Sequence, residues 1–544
     1  MPRVAARTPT AAPRAPRRAR LAIVLGDQLD IDSALIRSIG PDDTVLMMEV
    51  AGESRHVPSH VQRTTLFLSA MRHFADELAA RKIRVQYVPL DDPTNSGSLE
   101  TEILRAAETL RPAELVCTHP GEWRVMAMLD RVREATGLAL TILPDEHFLT
   151  TPDKFAAWAK DRASLTMEFF YREQRRKTGY LMEGSGRSAK PIGGTWNFDK
   201  ENRLPFGKRG PDPRPPSPLS FEPDQTTRSV IAAIERVLPD LPGNVASFAW
   251  PVTRAQALSA LDDFITGRLA QFGPFEDAMW TDEPTLYHST LSCALNLKLL
   301  NPRECCDRAV EAYRAGLAPL ASVEAFVRQL IGWREFIRGV YWLEGPDYAQ
   351  RNSLDHQGQL PAFYWSGTTD MACMSACVGQ VVETGFAHHI QRLMVMGNFA
   401  LISGVHPRAV SDWYLGMFVD GVDWVTLPNA LGMVMHADKR PGAAKGVTGL
   451  VGTKPYAASG KYIQRMSNYC TRCRYDPSER YGPSACPFNV FYWDYLVRNR
   501  ERLGDNQRMA MILKNVDRMP AAARTQISVD AALLRAKLGV EAPG

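Results

Sequence analysis

The sequence predicts an α/β domain built on a Rossmann-like parallel sheet, followed by an all-helical domain. Two observations carry this. Over residues 19–150 short apolar runs alternate with helical periodicity, the order that winds a parallel sheet. From about residue 250 onward the apolar positions recur almost only at helical spacing. A third observation marks the helical part as a place of chemistry. Cys470, Cys473 and Cys486 crowd into seventeen positions of a chain that holds nine cysteines.

The elements follow in order. Residues up to Arg20 carry six arginines and no acidic residue. Lacking an apolar core, residues 1–18 read as a disordered basic tail and not as a secretory signal; a transit peptide is the alternative. Leu21–Leu25 is an apolar run that stops at Gly26-Asp27-Gln28, a strand feeding a loop. Residues 44–50 and 83–88 read as the next strands. Leu66, Ala70, Phe74 and Leu78 mark the face of a helix between them. Leu115–Thr118 and Leu138–Leu143 complete five strands. No G-x-G-x-x-G follows the first strand, so the dinucleotide fingerprint is absent. A ligand at the carboxyl ends of the strands would meet Asp27, Gln28 and Glu49.

Residues 151–245 read as a connector. Arg203–Pro223 is rich in proline and charge and is expected to be loop. Met167–Lys177 is an aromatic, basic helix, read as presenting a solvated face. Residues 246–544 form the helical domain. Net charge is only +4, so any nucleic-acid contact needs a local basic surface. No apolar run is long enough to span a bilayer.

The C-x2-C pair followed by Cys486-Pro487 has thiolate-ligand spacing. Iron–sulfur and zinc both fit it. A disulfide framework does not suit so large and cysteine-poor a chain. The fourth ligand comes from Cys117, Cys293, Cys305, Cys306, Cys373 or Cys377, and spacing alone does not choose. A small hydroxyl-rich turn at Ser289–Ser292 suits phosphate oxygens, although helix capping is the commoner use of such residues. Adjacent His388 and His389 read as hydrogen-bonded core groups or as proton carriers.

These motifs occur together in one known family. Leu25-Gly-Asp-Gln-Leu29, Tyr287–Ser292, Gly332-Trp-Arg-Glu-Phe336, His388-His-Ile-Gln-Arg392, Asp420-Gly-Val-Asp-Trp424 and the three late cysteines resemble the photolyase/cryptochrome superfamily. Within it they resemble the bacterial iron–sulfur branch, the prokaryotic (6-4) photolyases and photolyase-related proteins. The resemblance covers nearly the whole chain after the tail. It implies the photolyase/cryptochrome fold and FAD in the helical domain. His288 to Ser292 match the phosphate-contacting turn, Trp333 and Arg334 the helix flanking the flavin, and Arg392 the arginine beside the ring. Asp420 and Asp423 match the loop at the flavin's polar edge. Thr426 stands at the position facing flavin N5, where the family often has Asn, Asp or Glu.

The resemblance also implies a [4Fe–4S] cluster on Cys373, Cys470, Cys473 and Cys486, since a branch cysteine lies about fifteen residues before the His-His pair. Cys377 is then a packing residue. It implies His389, beside His388, as proton donor to a (6-4) lesion, and Trp365, Trp413 and Tyr414 as the electron path to the flavin. Tyr456, Tyr462, Lys454 and Lys461 are expected at the lesion, next to a Gly/Ala-rich and mobile Arg440–Gly452 segment. Asp27, Gln28 and Glu49 are expected to hold an antenna, 6,7-dimethyl-8-ribityllumazine. The implied partner is UV-damaged DNA, met by a monomer in a bacterial cytoplasm at the nucleoid. The competing functions are a cryptochrome-like photoreceptor without repair, and a zinc-stabilised nucleic-acid-binding module. Cyclobutane-dimer repair is disfavoured because His389 belongs to the (6-4) chemistry.

Overall fold

The computed structural model describes residues 19–541 except 163 and 185. The basic tail of residues 1–18 lies outside them. Five parallel strands, β1 (Arg20–Ile23), β2 (Thr44–Met48), β3 (Val85–Val88), β4 (Glu114–Thr118) and β5 (Ala139–Leu143), form one sheet in the order β3-β2-β1-β4-β5. The order reverses at β1, so a crevice opens at the carboxyl ends of β1 and β4. Register pairs Leu21 with Thr44 and with Leu115.

Alternation along the strands divides the sheet between two cores. Leu21, Ile23, Leu46, Met48, Leu115 and Cys117 pack one face, with Ile103 and Leu129 of the helices Leu99–Leu110 and Trp123–Thr136. Ala22, Val24, Val45, Met47 and Val116 pack the other, with the helix Val61–Ala80 and the first part of the helical domain. Burial on both faces explains why the strands read as continuous apolar runs.

Glu49, at the end of β2, is fully buried. Its Oε1 accepts from Arg72 Nε at 2.7 Å and Tyr87 OH at 2.5 Å, and its Oε2 from Arg72 Nη2 at 2.9 Å and Leu90 N at 2.7 Å. Every acceptor direction is used within the domain, so Glu49 ties β2 to β3 and does not face an antenna. Gln28 is likewise committed, bonding Leu25 N and the carbonyls of Thr118 and His119. Glu49→Ala is expected to destabilise the α/β domain by about 3–5 kcal/mol, because it strands a half-buried arginine and a phenol. Thermal unfolding followed by circular dichroism checks this.

The connector is more ordered than its composition implies. The helix Met167–Thr178 presents Arg176 and Lys177 to solvent as expected, but not Arg175. Arg175 is fully buried and donates to the carbonyls of Tyr180, Leu181 and Trp196, while Phe170 and Tyr171 pack the core. Arg203–Pro223 is loop, as its prolines require.

The two domains are bolted together. Lys298 pairs with Asp145 at 2.8 Å with both side chains buried, Thr150 N donates to Glu335 Oε2 at 2.8 Å, and Trp123 stacks on Tyr341 at 3.7 Å. A separate apolar core, centred on Phe399, Trp413 and Phe491, fills the later part of the helical domain. Three π-helical turns interrupt its helices, at Arg328–Arg334, Gln391–Gly397 and Asn429–Val434. Such turns concentrate at functional sites. No described helix is long and apolar enough to cross a membrane.

Candidate functional site

Three regions bring the predicted residues together. In the first, Cys373, Cys470, Cys473 and Cys486 line one small cavity with Met371, Ile463, Tyr469, Tyr475 and Phe488. Each cysteine owes its place to local structure. Cys373 lies in the first turn of the helix Ala372–Thr384. Cys470 sits on the 3₁₀ turn Tyr469–Arg472, and Cys473 ends it. Cys486 caps the helix Pro487–Arg498, with Pro487 in the first-turn position where a missing N–H costs nothing.

Cys377 is one turn beyond Cys373, outside the cavity, with its Sγ 3.9 Å from Tyr469 OH. Burial pushes the Cys470 thiol up to about 11 and the Cys486 thiol up to about 12, with neighbouring cysteines adding to both. Among the described residues no three cysteine sulfurs come within 4.8 Å of one another. A tetrahedral zinc would need them about 3.8 Å apart. A Cβ at Gly460 would stand 2.9 Å from Cys486 Sγ, so the backbone there approaches the sulfur as only glycine can.

The second region joins three segments. Arg392, in a π-helical turn, pairs with both oxygens of Asp420 at 2.9 and 3.1 Å. The Asp420 carbonyl accepts from Asn296, on the short helix Ser292–Asn296. That helix follows the Ser289–Leu291 turn, where Thr290 is left-handed (φ 58°) and Leu291 right-handed. Such a pair turns successive N–H groups to one side, which suits an anion.

His288 and His388 stack at 4.4 Å beside this turn. His388 is 2% exposed, and among the described residues neither of its ring nitrogens nor Nε2 of His288 has a partner. Orphaned buried donors and acceptors of this kind fit a polar cofactor. Burial holds both imidazoles well below their ordinary range, so they are neutral. Ligand atoms of His288, His388 and His389 lie within 4.8 Å of one another. The His288 and His388 rings are nevertheless nearly parallel, at 13°, so their in-plane lone pairs do not converge on one ion.

His389 differs from its neighbour. Its side chain is 51% exposed, and Nε2 lies 3.7 Å from Asp277 Oδ1. The phenols of Tyr456 and Tyr462 both feel the charges of Asp277 and Arg203, which places them at the same mouth. Lys454 and Lys461 are exposed on the adjoining segment. Asp438 and His436 tie down the end of the Arg440–Gly452 segment. Asp438 accepts from Leu450 N and Val451 N, and His436 meets Thr448 Oγ1 at 2.8 Å.

Two residues expected at the flavin make contacts where the α/β and helical domains meet. Asp423 accepts from Tyr341 OH at 2.6 Å, beside Arg124 and His56 of the α/β domain. Arg334 meets His147 Nδ1 at 2.8 Å and lies over Phe148 at 4.0 Å. Both belong to the interdomain seam. Trp333 is half-buried against Phe336. Thr426 is buried, with its N–H bonded to the Val422 carbonyl.

The third region is that seam. Asp27 is half-buried at the end of β1, where burial raises its carboxyl despite Lys298. A Cβ on Gly121 would meet Asp27 Oδ2 at 2.6 Å and Trp424 at 3.3 Å. Among the described residues the indole N–H groups of Trp123 and Trp342 have no partner.

Comparison with known proteins fits this geometry. A (6-4) photolyase of Agrobacterium fabrum is 46% identical over 520 residues, covering 95% of this chain and 99% of that protein. The chain belongs to the (6-4) photolyase family. The deoxyribodipyrimidine photo-lyase-related protein family also matches residues 22–250. Two solved structures share the fold, each covering 97% of this chain at 14% identity. One is a bacterial class III photolyase from Agrobacterium tumefaciens (TM-score 0.52), the other the Synechocystis sp. PCC6803 cryptochrome (TM-score 0.55). The three aromatic residues expected on an electron path lie on two helices. Trp413 and Tyr414 are buried on the helix Pro407–Met417, 5.6 Å apart, and Trp365 is 38% exposed. Tyr414 OH donates to the Arg392 carbonyl at 2.6 Å.

Sequence reasoning missed Glu276, Asp277 and Arg203. They sit in loops without periodicity, and only the fold brings Asp277 to His389 and Arg203 to Tyr456 and Tyr462.

Proposed function

We propose that the protein reverts (6-4) pyrimidine–pyrimidone photoproducts in DNA under blue light, with FAD as its working cofactor and His389 as proton donor. The observation that carries this is the mouth itself. A half-exposed histidine beside a carboxylate, flanked by Tyr456 and Tyr462, adjoins the Arg392–Asp420 pair and the Ser289–Leu291 turn. When bound, reduced FAD supplies one electron to the lesion on excitation and takes it back after the bond rearranges.

The chain's residues do the rest. The turn and Arg392 hold the cofactor, and the Arg392–Asp420 pair fixes the guanidinium's plane. Tyr456 and Tyr462 stack on a nucleotide flipped from the duplex, and Lys454, Lys461 and Arg203 neutralise phosphates. His389, open to the lesion and steadied by Asp277, gives the proton that the (6-4) rearrangement needs. His388 is assigned a cofactor contact and not proton donation, since it is buried and neutral.

We assign Cys373, Cys470, Cys473 and Cys486 to a [4Fe–4S] cluster; their shared cavity and the proline after Cys486 suit it. The cluster braces the segment that carries Lys461 and Tyr462, among Arg472, Arg474 and Tyr475. For the antenna, a lumazine, we keep Asp27 and add the free indole N–H groups of Trp123 and Trp342 in place of Gln28 and Glu49.

Photoreduced protein, mixed with an oligonucleotide holding one (6-4) photoproduct, is expected to return intact pyrimidines in blue light and not in the dark, resolved by chromatography. Failure with FAD-loaded protein would favour the photoreceptor, whose best support is the uncharged Thr426. Trp413→Phe is expected to block photoreduction while chemically reduced protein still repairs. Absorbance of the flavin under illumination reads this directly.

A further inference from the structure

His389 and Asp277 stand 3.7 Å apart, but they come from segments distant in sequence. Neither segment is held by regular structure of its own. Asp277 lies within residues 273–283, which form turns and no helix or strand. His388 and His389 stand where a helix begins, and the first N–H groups of a helix find no acceptor inside it.

Two adjacent residues, Asn468 and Tyr469, hold one segment each. Asn468 Oδ1 accepts from Thr281 N at 2.9 Å and from Thr281 Oγ1 at 3.0 Å. Two residues earlier, the Met466 carbonyl accepts from Met279 N at 2.8 Å. These bonds fix the chain as it leaves Asp277. Asn468 is itself anchored, since its carbonyl accepts from Thr471 N at 3.1 Å and Thr471 Oγ1 at 2.7 Å. On the other side, Tyr469 OH accepts from Gln391 Nε2 at 3.3 Å, and Gln391 Oε1 accepts from His388 N at 3.1 Å. Gln391 and Tyr469 are both buried, where a hydrogen bond is stronger than in water. Gln380 reinforces this side, accepting from Gln391 Nε2 at 3.0 Å and donating to the Phe386 carbonyl at 3.0 Å.

His389 is half in water, so its ring takes its aim from few contacts. They are Asp277 and the ring edges of His288 at 5.3 Å and His388 at 6.2 Å. We propose that Asn468 and Tyr469 are positioning residues for photorepair, a clasp between the Asp277 loop and the His388–His389 segment that sets where His389 delivers its proton. This rests on the reading of His389 as proton donor. A proton donor is effective only within hydrogen-bond reach of its acceptor, so its support matters as much as its chemistry.

The test is a double-mutant cycle on holoprotein: wild type, Asn468→Ala, His389→Asn and the double variant. Each is given an oligonucleotide with one (6-4) photoproduct, and repair is read per absorbed flash. Asn468→Ala is expected to lower the yield about tenfold with lesion-DNA affinity nearly unchanged, since misplacement by about 1 Å can cost up to 10²-fold. In the His389→Asn background the same substitution is expected to cost nothing further, because the group it aims is gone. Asn468→Asp keeps the acceptor and should restore most of the yield. Tyr469→Phe keeps the ring and removes one hydrogen bond, so it should cost only about threefold. FAD and iron content confirm that each variant is assembled. Should Asn468→Ala fail to assemble, Tyr469→Phe in the same cycle decides. Equal losses with and without His389 would show a general structural role and overturn the clasp alone, as would an unchanged yield in loaded Asn468→Ala. Wild-type yield from His389→Asn would overturn the parent reading and the clasp with it.

Discussion

Cys373→Ala is expected to yield protein that cannot hold iron and that unfolds at a markedly lower temperature. The cysteine cavity sits inside the later apolar core, walled by Met371, Ile463 and Phe488. It joins three pieces of chain far apart in sequence, the helix Ala372–Thr384, the turn Tyr469–Arg472 and the start of the helix Pro487–Arg498. A cluster there staples those pieces, and its binding free energy becomes folding free energy. Without metal the thiols of Cys373, Cys470 and Cys486 stay protonated, because burial and the neighbouring cysteines raise them. Assembly must displace those protons, so reconstitution should slow as pH falls.

Two controls sharpen the test. Cys377→Ala removes a buried thiol outside the cavity and should cost only about 1 kcal/mol, with iron retained. Gly460→Ala leaves every cysteine in place but sets a methyl group 2.9 Å from Cys486 Sγ, so it should mimic the loss of a ligand. Iron per chain, visible absorption and thermal unfolding read all three. Iron retained in Cys373→Ala but lost in Cys377→Ala would reverse the ligand assignment.

Much of this was legible in the sequence because it rests on local rules. The five strands follow from apolar runs, and Cys486-Pro487 reads as a helix start because proline tolerates that position. The contacts that the sequence does not announce depend on tertiary direction. Arg334 reads as part of a helix flanking a flavin, and Arg328–Arg334 is a π-helical turn. Such a turn inserts extra backbone and rotates every later side chain, here toward His147 and Phe148. Asp423 shares a motif with Asp420 but is captured by Tyr341 across the seam. Glu49 sits at the strand end where a ligand is expected, but Arg72 arrives from a helix that no pattern at Glu49 announces. Buried Arg175 shows the same limit, since a basic helix face reads as solvated until the carbonyls that pair it are known.

His389→Ala is expected to lower light-driven repair by about 10²- to 10⁴-fold, the range supplied by a positioned proton donor. FAD content, photoreduction and binding of lesion DNA should be nearly unchanged. The prediction separates the two histidines by environment. His388 is buried and held neutral, and losing it would disturb the stack on His288 and the cofactor contacts. His389 reaches solvent, has a carboxylate at 3.7 Å, and can be recharged from water between turnovers. His388→Ala should therefore lose FAD, whereas His389→Ala should keep it and lose only chemistry. The path residues Trp413 and Tyr414 contact neither histidine among the described aromatic pairs, so photoreduction is an internal control in the same sample. Single-turnover repair of a defined (6-4) oligonucleotide, read per absorbed flash, gives the ratio. Wild-type yield from His389→Ala would remove it as proton donor and leave the phenols of Tyr456 and Tyr462 as the candidates.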